Sequence, residues 1–371
     1  MSIYWMFLFV CPLLAYIAER SPRITRYANG KKIRKPGLIW SFLSIFVIIF
    51  FLGLRSGIAD TRAYINGFQN MGVNALENIW SSDTKDKGFV IFTYVVKYFI
   101  KDDFHVWLFL TAAISGIAVV KTLHEYSVYF SLSVFVFIAS AQFTWMFNGI
   151  RQFIAISLLF TFFYLLINKK YLWFIALVLP IASIHFSTLI VLPFFFLALG
   201  KPFTFRNAAL VALFIMMAYF SDLLLSFSDQ VFENTQYQES STYILATPGS
   251  NVLRLIVAII PVALCYLKRQ RVARLNSRVL NFLINMSIYN IGFYMISTSV
   301  GGIFMGRMAA YFDIFSLLLY PMIIKQLYFD KERRLIKNSL IVGYLAWFYY
   351  QMVVTWNSYY ISDILGITLF N

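Results

Sequence analysis

Charge is scarce in this chain: of 371 residues only 13% are Asp, Glu, Lys or Arg, against 60% hydrophobic. The two cysteines, Cys11 and Cys265, stand in apolar runs with no CxxC spacing and no His/Cys cluster. They are expected to pack rather than pair, and no structural zinc is implied. No glycine-rich loop with a following lysine is present to cradle a nucleotide phosphate, which argues against ATP-driven chemistry. Internal repeats, low-complexity tracts and a soluble domain are all missing. The first apolar run, Ile3 to Ala18, leads into Glu19 and Arg20 without a small-residue cleavage site, so it reads as a retained first span.

What fills the chain instead is apolar sequence. Runs that approach the ~20 residues of a membrane span recur from end to end, and mean hydropathy is +0.73. The fold class expected is an all-α polytopic membrane protein, residues 1–371 forming one integral domain. Spans read at 3–18, 37–54, 104–121, 127–147, 150–167, 171–184, 186–200, 205–222, 251–267, 278–297, 308–325 and 338–354, about twelve by length and composition. Outer loops are expected at 55–103 and 223–250. Within the first, Gly88 to Ile100 is short and carries Lys97, so it reads as a helix lying in the interface rather than crossing.

Charge placement sets the orientation. Cations crowd 20–35, 268–278 and 325–337 and recur at Lys121, Lys169, Lys170, Lys201 and Arg206, all on one side of the alternation. That side is the cytoplasm, with both termini outside. The net charge of +15 is therefore a topology signal and not a nucleic-acid patch.

Against this rule, four arginines stand at outer ends of spans: Arg55, Arg151, Arg254 and Arg307. A fixed cation there marks a functional pathway or snorkels to lipid phosphate. Arginine presents a planar fork of donors that grips phosphate oxygens at two points, which suits a lipid-linked pyrophosphate. Asp313, six residues after Arg307, is a candidate partner for it, although off the same helix face. His185, between Ser183 and Ser187 at an outer turn, is either a base for a hydroxyl proton or a packing histidine. Asp60, at the head of the outer loop, is a base, an arginine partner or a helix cap.

Taken together, Leu54-Arg55-Ser56-Gly57…Asp60-Thr61…Tyr64, Asn148-Gly149-Ile150-Arg151-Gln152-Phe153-Ile154-Ala155, His185-Phe186-Ser187 and Gly306-Arg307…Tyr311-Phe312 resemble the EpsG/Wzy group of bacterial polysaccharide polymerases. The resemblance runs from about residue 37 to 325, and Arg-Gln-Phe-Ile-Ala is its most specific part. One departure is Asp86-Lys87-Gly88, where that group often shows an acidic residue followed by Pro-Gly. The order of outer Asp loop, interfacial helix and span is also similar to the multi-span glycosyltransferases of the GT-C class.

The resemblance implies a polymerase of O-antigen, capsule or exopolysaccharide in the bacterial inner membrane, with its site on the outer face. Growing glycan on undecaprenyl pyrophosphate would pass to the non-reducing end of a lipid-linked repeat unit. It implies His185 or Asp60 as the base, and Arg55, Tyr64, Asn148, Arg151, Gln152, Arg254 and Arg307 as the substrate-binding set. Neither a cofactor nor a metal is implied, and a Wzz-type chain-length regulator is a partner to expect. Competing readings are another outer-face glycosyltransferase or O-antigen ligase, and a flippase for the same lipid-linked sugars. A flippase needs no base and commonly shows two similar halves.

Overall fold

The computed structural model describes residues 2–26, 32–72, 76–79, 86–220, 249–299, 302–356 and 359–368. Over these the chain is all-α apart from one two-stranded antiparallel hairpin and two isolated bridges. Helices α1 (Ser2–Arg20) and α2 (Leu38–Gly53) flank the basic segment read as a plain loop. It forms β1 (Arg23–Arg26) and β2 (Lys32–Lys35), with Arg23 opposite Lys35, and each strand carries a β-branched isoleucine.

Next come α3 (Thr61–Gln69), α4 (Lys87–Ile100), α5 (Phe104–Tyr126), α6 (Phe130–Ala139), α7 (Ile150–Ile167), α8 (Tyr171–Ile184), α9 (Ser187–Leu197) and α10 (Phe205–Tyr219). They are followed by α11 (Val252–Leu267), α12 (Arg269–Leu275), α13 (Arg278–Ser299), α14 (Gly302–Asp313), α15 (Ser316–Met322) and α16 (Asp330–Tyr349). Among the described residues, four helices, α1, α5, α7 and α13, are long and apolar enough to cross a membrane. The pair Gly302–Asp313 and Ser316–Leu327, bent by 44°, makes a fifth span if taken as one, and six shorter apolar helices accompany them. The protein is thus a helical, multi-pass membrane protein. The loop expected at 223–250 lies, up to residue 248, outside the described residues.

Besides the run 308–325, broken at the bend between Asp313 and Ser316, two expected spans differ from the continuous helices that hydropathy suggests. The run 127–147 is helical only to Ala139; Ala141 then takes φ 63°, a 3₁₀ turn covers Gln142–Met146, and Gly149 at φ 84° precedes α7. Ser140, Gln142, Thr144 and Asn148 lie on this irregular stretch and all line a cavity, the one setting in which non-helical backbone is tolerated at membrane depth. The run 338–354 belongs to α16, which starts earlier, within the basic segment, and continues as a π-helix over Tyr350–Trp356. Wide helical turns of this kind are frequent at functional sites.

Between helices the core is aromatic. Phe163, Phe195 and Phe282 each meet Phe315 edge-on at 5.4–5.8 Å, and Phe293 stacks on Phe312 at 5.1 Å. Lipid is as apolar as leucine, so such packing rather than water exclusion holds the bundle. On the perimeter Leu172, Trp173, Phe205 and Tyr219 are exposed, as suits a lipid-facing surface.

A second apolar cluster ties the loop region to the bundle. Phe68 of α3, Phe89 of α4 and Trp107 of α5 pack with Ile150 and Ile154 of α7. Lys97, a cation inside an apolar helix, donates to the carbonyls of Phe68, Gln69 and Met71 at 2.9, 2.7 and 3.1 Å, so it closes the C-terminal end of α3.

Candidate active site

The platform of α3 and α4 delivers one carboxylate to the start of α7. Asp86 occupies the N-cap position of α4, yet its side chain makes no cap bond to that helix. It turns away and is almost wholly buried. Oδ2 accepts from Arg151 Nη1 at 2.8 Å and lies 3.3 Å from His185 Nδ1, while Oδ1 accepts the Phe186 N–H at 3.0 Å. The approach is close because residue 88 is glycine: a Cβ there would come within 2.1 Å of Ser183 Oγ and 2.9 Å of the Ser183 carbonyl carbon. Burial opposes ionisation of Asp86, but the His185 hydrogen bond and charge, then the Arg151 charge and the Phe186 amide, outweigh it. They hold its pKa below the ordinary carboxylate value.

This geometry fixes a tautomer. A carboxylate only accepts, so His185 carries its proton on Nδ1 toward Asp86, and Nε2 is left as an acceptor. A histidine oriented through one nitrogen by a carboxylate, with the other free to take a proton, is the arrangement of a general base. Arg151 stands in the first turn of α7, whose leading N–H groups and dipole add positive potential. Cation and helix end together suit an anion.

On the other side of the α7 N-terminus lies a cavity of about 200 Å³. Asn148 and Arg254 of the expected set line it, as do Gln142, Asn290, Asp313 and Gln351. Asp313 accepts from Gln142 Nε2 at 2.8 Å and from Asn290 Nδ2 at 3.1 Å, so its described partners are these amides rather than Arg307. Arg254 donates from Nη2 to Gln351 Oε1 at 3.1 Å. Gln152 is buried and donates to the Arg307 backbone carbonyl at 2.7 Å, which fastens the first turn of α7 to α14. Arg307 itself is half-buried.

Other expected residues sit apart from the carboxylate. Arg55 is fully buried; its Nε donates to Thr61 Oγ1 at 3.0 Å and its Nη1 to the Leu52 carbonyl, while Nη2 has no partner among the described residues. The C-terminal segment pins this loop, with the Ser56 N–H on the Ile361 carbonyl at 3.0 Å. Tyr64 packs its ring 6.4 Å from Phe89 and 6.5 Å from Trp107, between the Arg55 loop and the carboxylate platform. Asp60 is half-buried at the N-cap position of α3, where its side chain makes no cap bond. Among the described residues no group of three or more His, Cys, Asp and Glu side chains gathers as a metal would require.

The residue that sequence reasoning missed is Asp86. Its signal was the acidic position of Asp86-Lys87-Gly88, obscured by attention to the missing proline. Asp313, Gln142 and Asn290 were missed as a group because they come from three separate helical segments.

A family model for the EpsG family matches residues 38–362. On that match, which covers most of the chain, the protein belongs to the EpsG family. No curated protein and no solved structure matches it.

Proposed function

From membership of the EpsG family, which points to a polysaccharide polymerase-type membrane protein, we propose the following reaction. Glycan carried on undecaprenyl pyrophosphate is transferred to the non-reducing end of a lipid-linked repeat unit at the outer face of the bacterial inner membrane. The single observation that carries the reading is the Asp86 carboxylate bridging Arg151 and His185. It sets a candidate base beside a candidate grip for the leaving group.

The acceptor hydroxyl gives its proton to His185 Nε2 as its oxygen bonds to the anomeric carbon of the donor's reducing-end sugar. The bond from that carbon to the pyrophosphate oxygen breaks, and the electron pair leaves with the lipid pyrophosphate. Arg151, with the α7 N-terminus and Arg307, neutralises the departing charge, the kind of preorganised electrostatics that lowers a barrier most. Asp86 holds the His185 ring and stabilises the imidazolium that forms. Tyr64, Gln152 and Arg55 support this arrangement from behind, and Asp60 is the alternative base. A crossing number of about twelve, GT-C-class architecture and a Wzz-type partner belong to the same proposal.

The test is the glycan ladder of a strain lacking the protein, complemented with native or altered forms at matched membrane levels. Anchors bearing one repeat unit in the deletion strain identify a polymerase; anchors bearing none identify a ligase or an earlier step. His185→Gln keeps hydrogen bonding but cannot serve as the base, and is expected to be as inactive as His185→Ala. Near-normal long chains from His185→Gln would shift the base role to Asp60.

A further inference from the structure

We propose that the cavity between Arg254 and Asp313 is a subsite for one uncharged pyranose of the lipid-linked glycan, an inference that rests on the polymerase-type reading above. Its lining differs in kind from the Asp86 cluster. Three amide side chains, Gln142, Asn290 and Gln351, are at least nine-tenths buried on its wall. Among the described residues, each leaves one polar atom without a hydrogen-bond partner: Gln142 Oε1, Asn290 Oδ1 and Gln351 Nε2. Buried unpaired polar groups destabilise a protein and are retained where something else completes them. Two acceptors and one donor, beside a carboxylate, match the mixed donor and acceptor hydroxyls of a sugar.

The remaining walls fit the same class. Trp145, Trp347 and Trp356 line the cavity, and an indole face packs against the C–H face of a pyranose ring while its rim stays polar. At about 200 Å³ the space is far above the ~10–15 Å³ that holds one water. One charge of each sign suits a neutral polyol, with Asp313 accepting from its hydroxyls.

The irregular backbone has a reason here. The break from Ser140 to Gly149 carries Gln142 and Trp145 onto the wall, and the π-helical turn from Tyr350 to Trp356 carries Gln351 and Trp356 onto it. Asn148 also lines the cavity, and Arg151 follows it by less than one helical turn. A sugar seated here would touch Asn148, three residues before the proposed leaving-group grip.

The experiment uses the full chain in nanodiscs and, as probe, lipid-linked repeat units labelled in their sugars, extracted from the deletion strain. Photoreactive benzoylphenylalanine replaces Trp347 in one form and Phe89 in another. After irradiation, mild acid cleaves the sugar–pyrophosphate bond. The expected result is label that stays on the protein at position 347 after acid. Label released by acid at position 347, or none captured there, overturns the subsite. As a second measurement, Asp313→Asn is expected to raise KM for the lipid-linked unit about tenfold or more with kcat changed much less. An equal fall in kcat with KM unchanged overturns it too. Failure of the parent reading looks different: the deletion strain would then still make full-length polymer, or anchors bearing no repeat unit.

Discussion

Replacing Asp86 by asparagine removes one negative charge and almost no volume, so it isolates what the carboxylate holds together. In the native protein it receives Arg151 at 2.8 Å, His185 at 3.3 Å and the Phe186 amide at 3.0 Å. Asparagine keeps the last of these through its carbonyl oxygen, but its amide nitrogen then faces a guanidinium and an imidazole N–H. Stripping one partner from a fully buried ion pair costs about 3–5 kcal/mol. The Arg151 side chain is 37% exposed and partly screened, which brings the expected loss of stability down to about 2 kcal/mol. The kinetic effect is larger. With no acceptor for Nδ1–H, the His185 ring loses the tautomer and orientation that leave Nε2 ready, and a positioned base is worth about 10²–10⁴-fold in rate. The assay is turnover of lipid-linked repeat units by purified protein, beside the cellular glycan ladder at matched membrane levels. The double variant Asp86→Asn/His185→Gln should be no slower than the slower single one, because residues that act as a unit are not additive. Near-native turnover from Asp86→Asn, or losses that multiply in the double variant, would refute the coupling.

Four further outcomes are expected. Arg151→Lys keeps the charge but not the two-point grip, so it should lose most activity while Arg62→Ala, on the exposed face of α3, should be nearly silent in the same ladder. Gly88→Ala adds a Cβ that must push α4 away from the Ser183 backbone, so turnover should fall toward that of Asp86→Asn; unchanged turnover would mean the close approach is dispensable. Asp86 titrates lower when folded than when unfolded, so its stabilisation is fully present above the ordinary value of about 3.9 and is lost as pH falls below it. The stability gap between the native protein and Asp86→Asn, followed by thermal unfolding in detergent, should therefore close as pH falls below about 4. Finally, Asn66→Cys and Lys121→Cys, placed in a form lacking Cys11 and Cys265, should label from opposite sides of the membrane, since α5 alone separates the two regions; labelling from one side would overturn the outer placement of Arg151.

Much of this was legible because a bilayer leaves few solutions: apolar runs must become helices, and cations outside the cytoplasmic loops need a reason. Arg151 and His185 stood out on those grounds, and the structure brings both onto one carboxylate. What hid that carboxylate was its setting. Asp86 ends a charge-balanced stretch and precedes a short helix, so by sequence it looked like one more acid of the outer loop. Only the three-dimensional approach of α4 to the end of α8, permitted by Gly88, shows that its side chain has left the helix it precedes. Lys97 was read only as a reason for α4 to lie in the interface, and the structure adds that it closes the C-terminal end of α3.

Hydropathy failed at another point for a related physical reason. It averages over a window, and between Phe130 and Ile167 the phenylalanines and isoleucines keep the average high while Ser140, Gln142, Thr144 and Asn148 interrupt it singly. None of these polar residues alone is enough to break a helix. Together with Gly149, which takes the left-handed backbone at φ 84° that side chains disfavour, they turn the second half of the expected span 127–147 into a 3₁₀ turn ahead of α7. The polar atoms then face a cavity instead of lipid. In a membrane protein such a break costs several kcal/mol per unsatisfied backbone group unless protein or a water-filled space takes up the freed bonds. Its presence between two apolar runs is therefore itself a pointer to function. In this chain it leads from the indoles and amides of the cavity to Arg151 within a few residues.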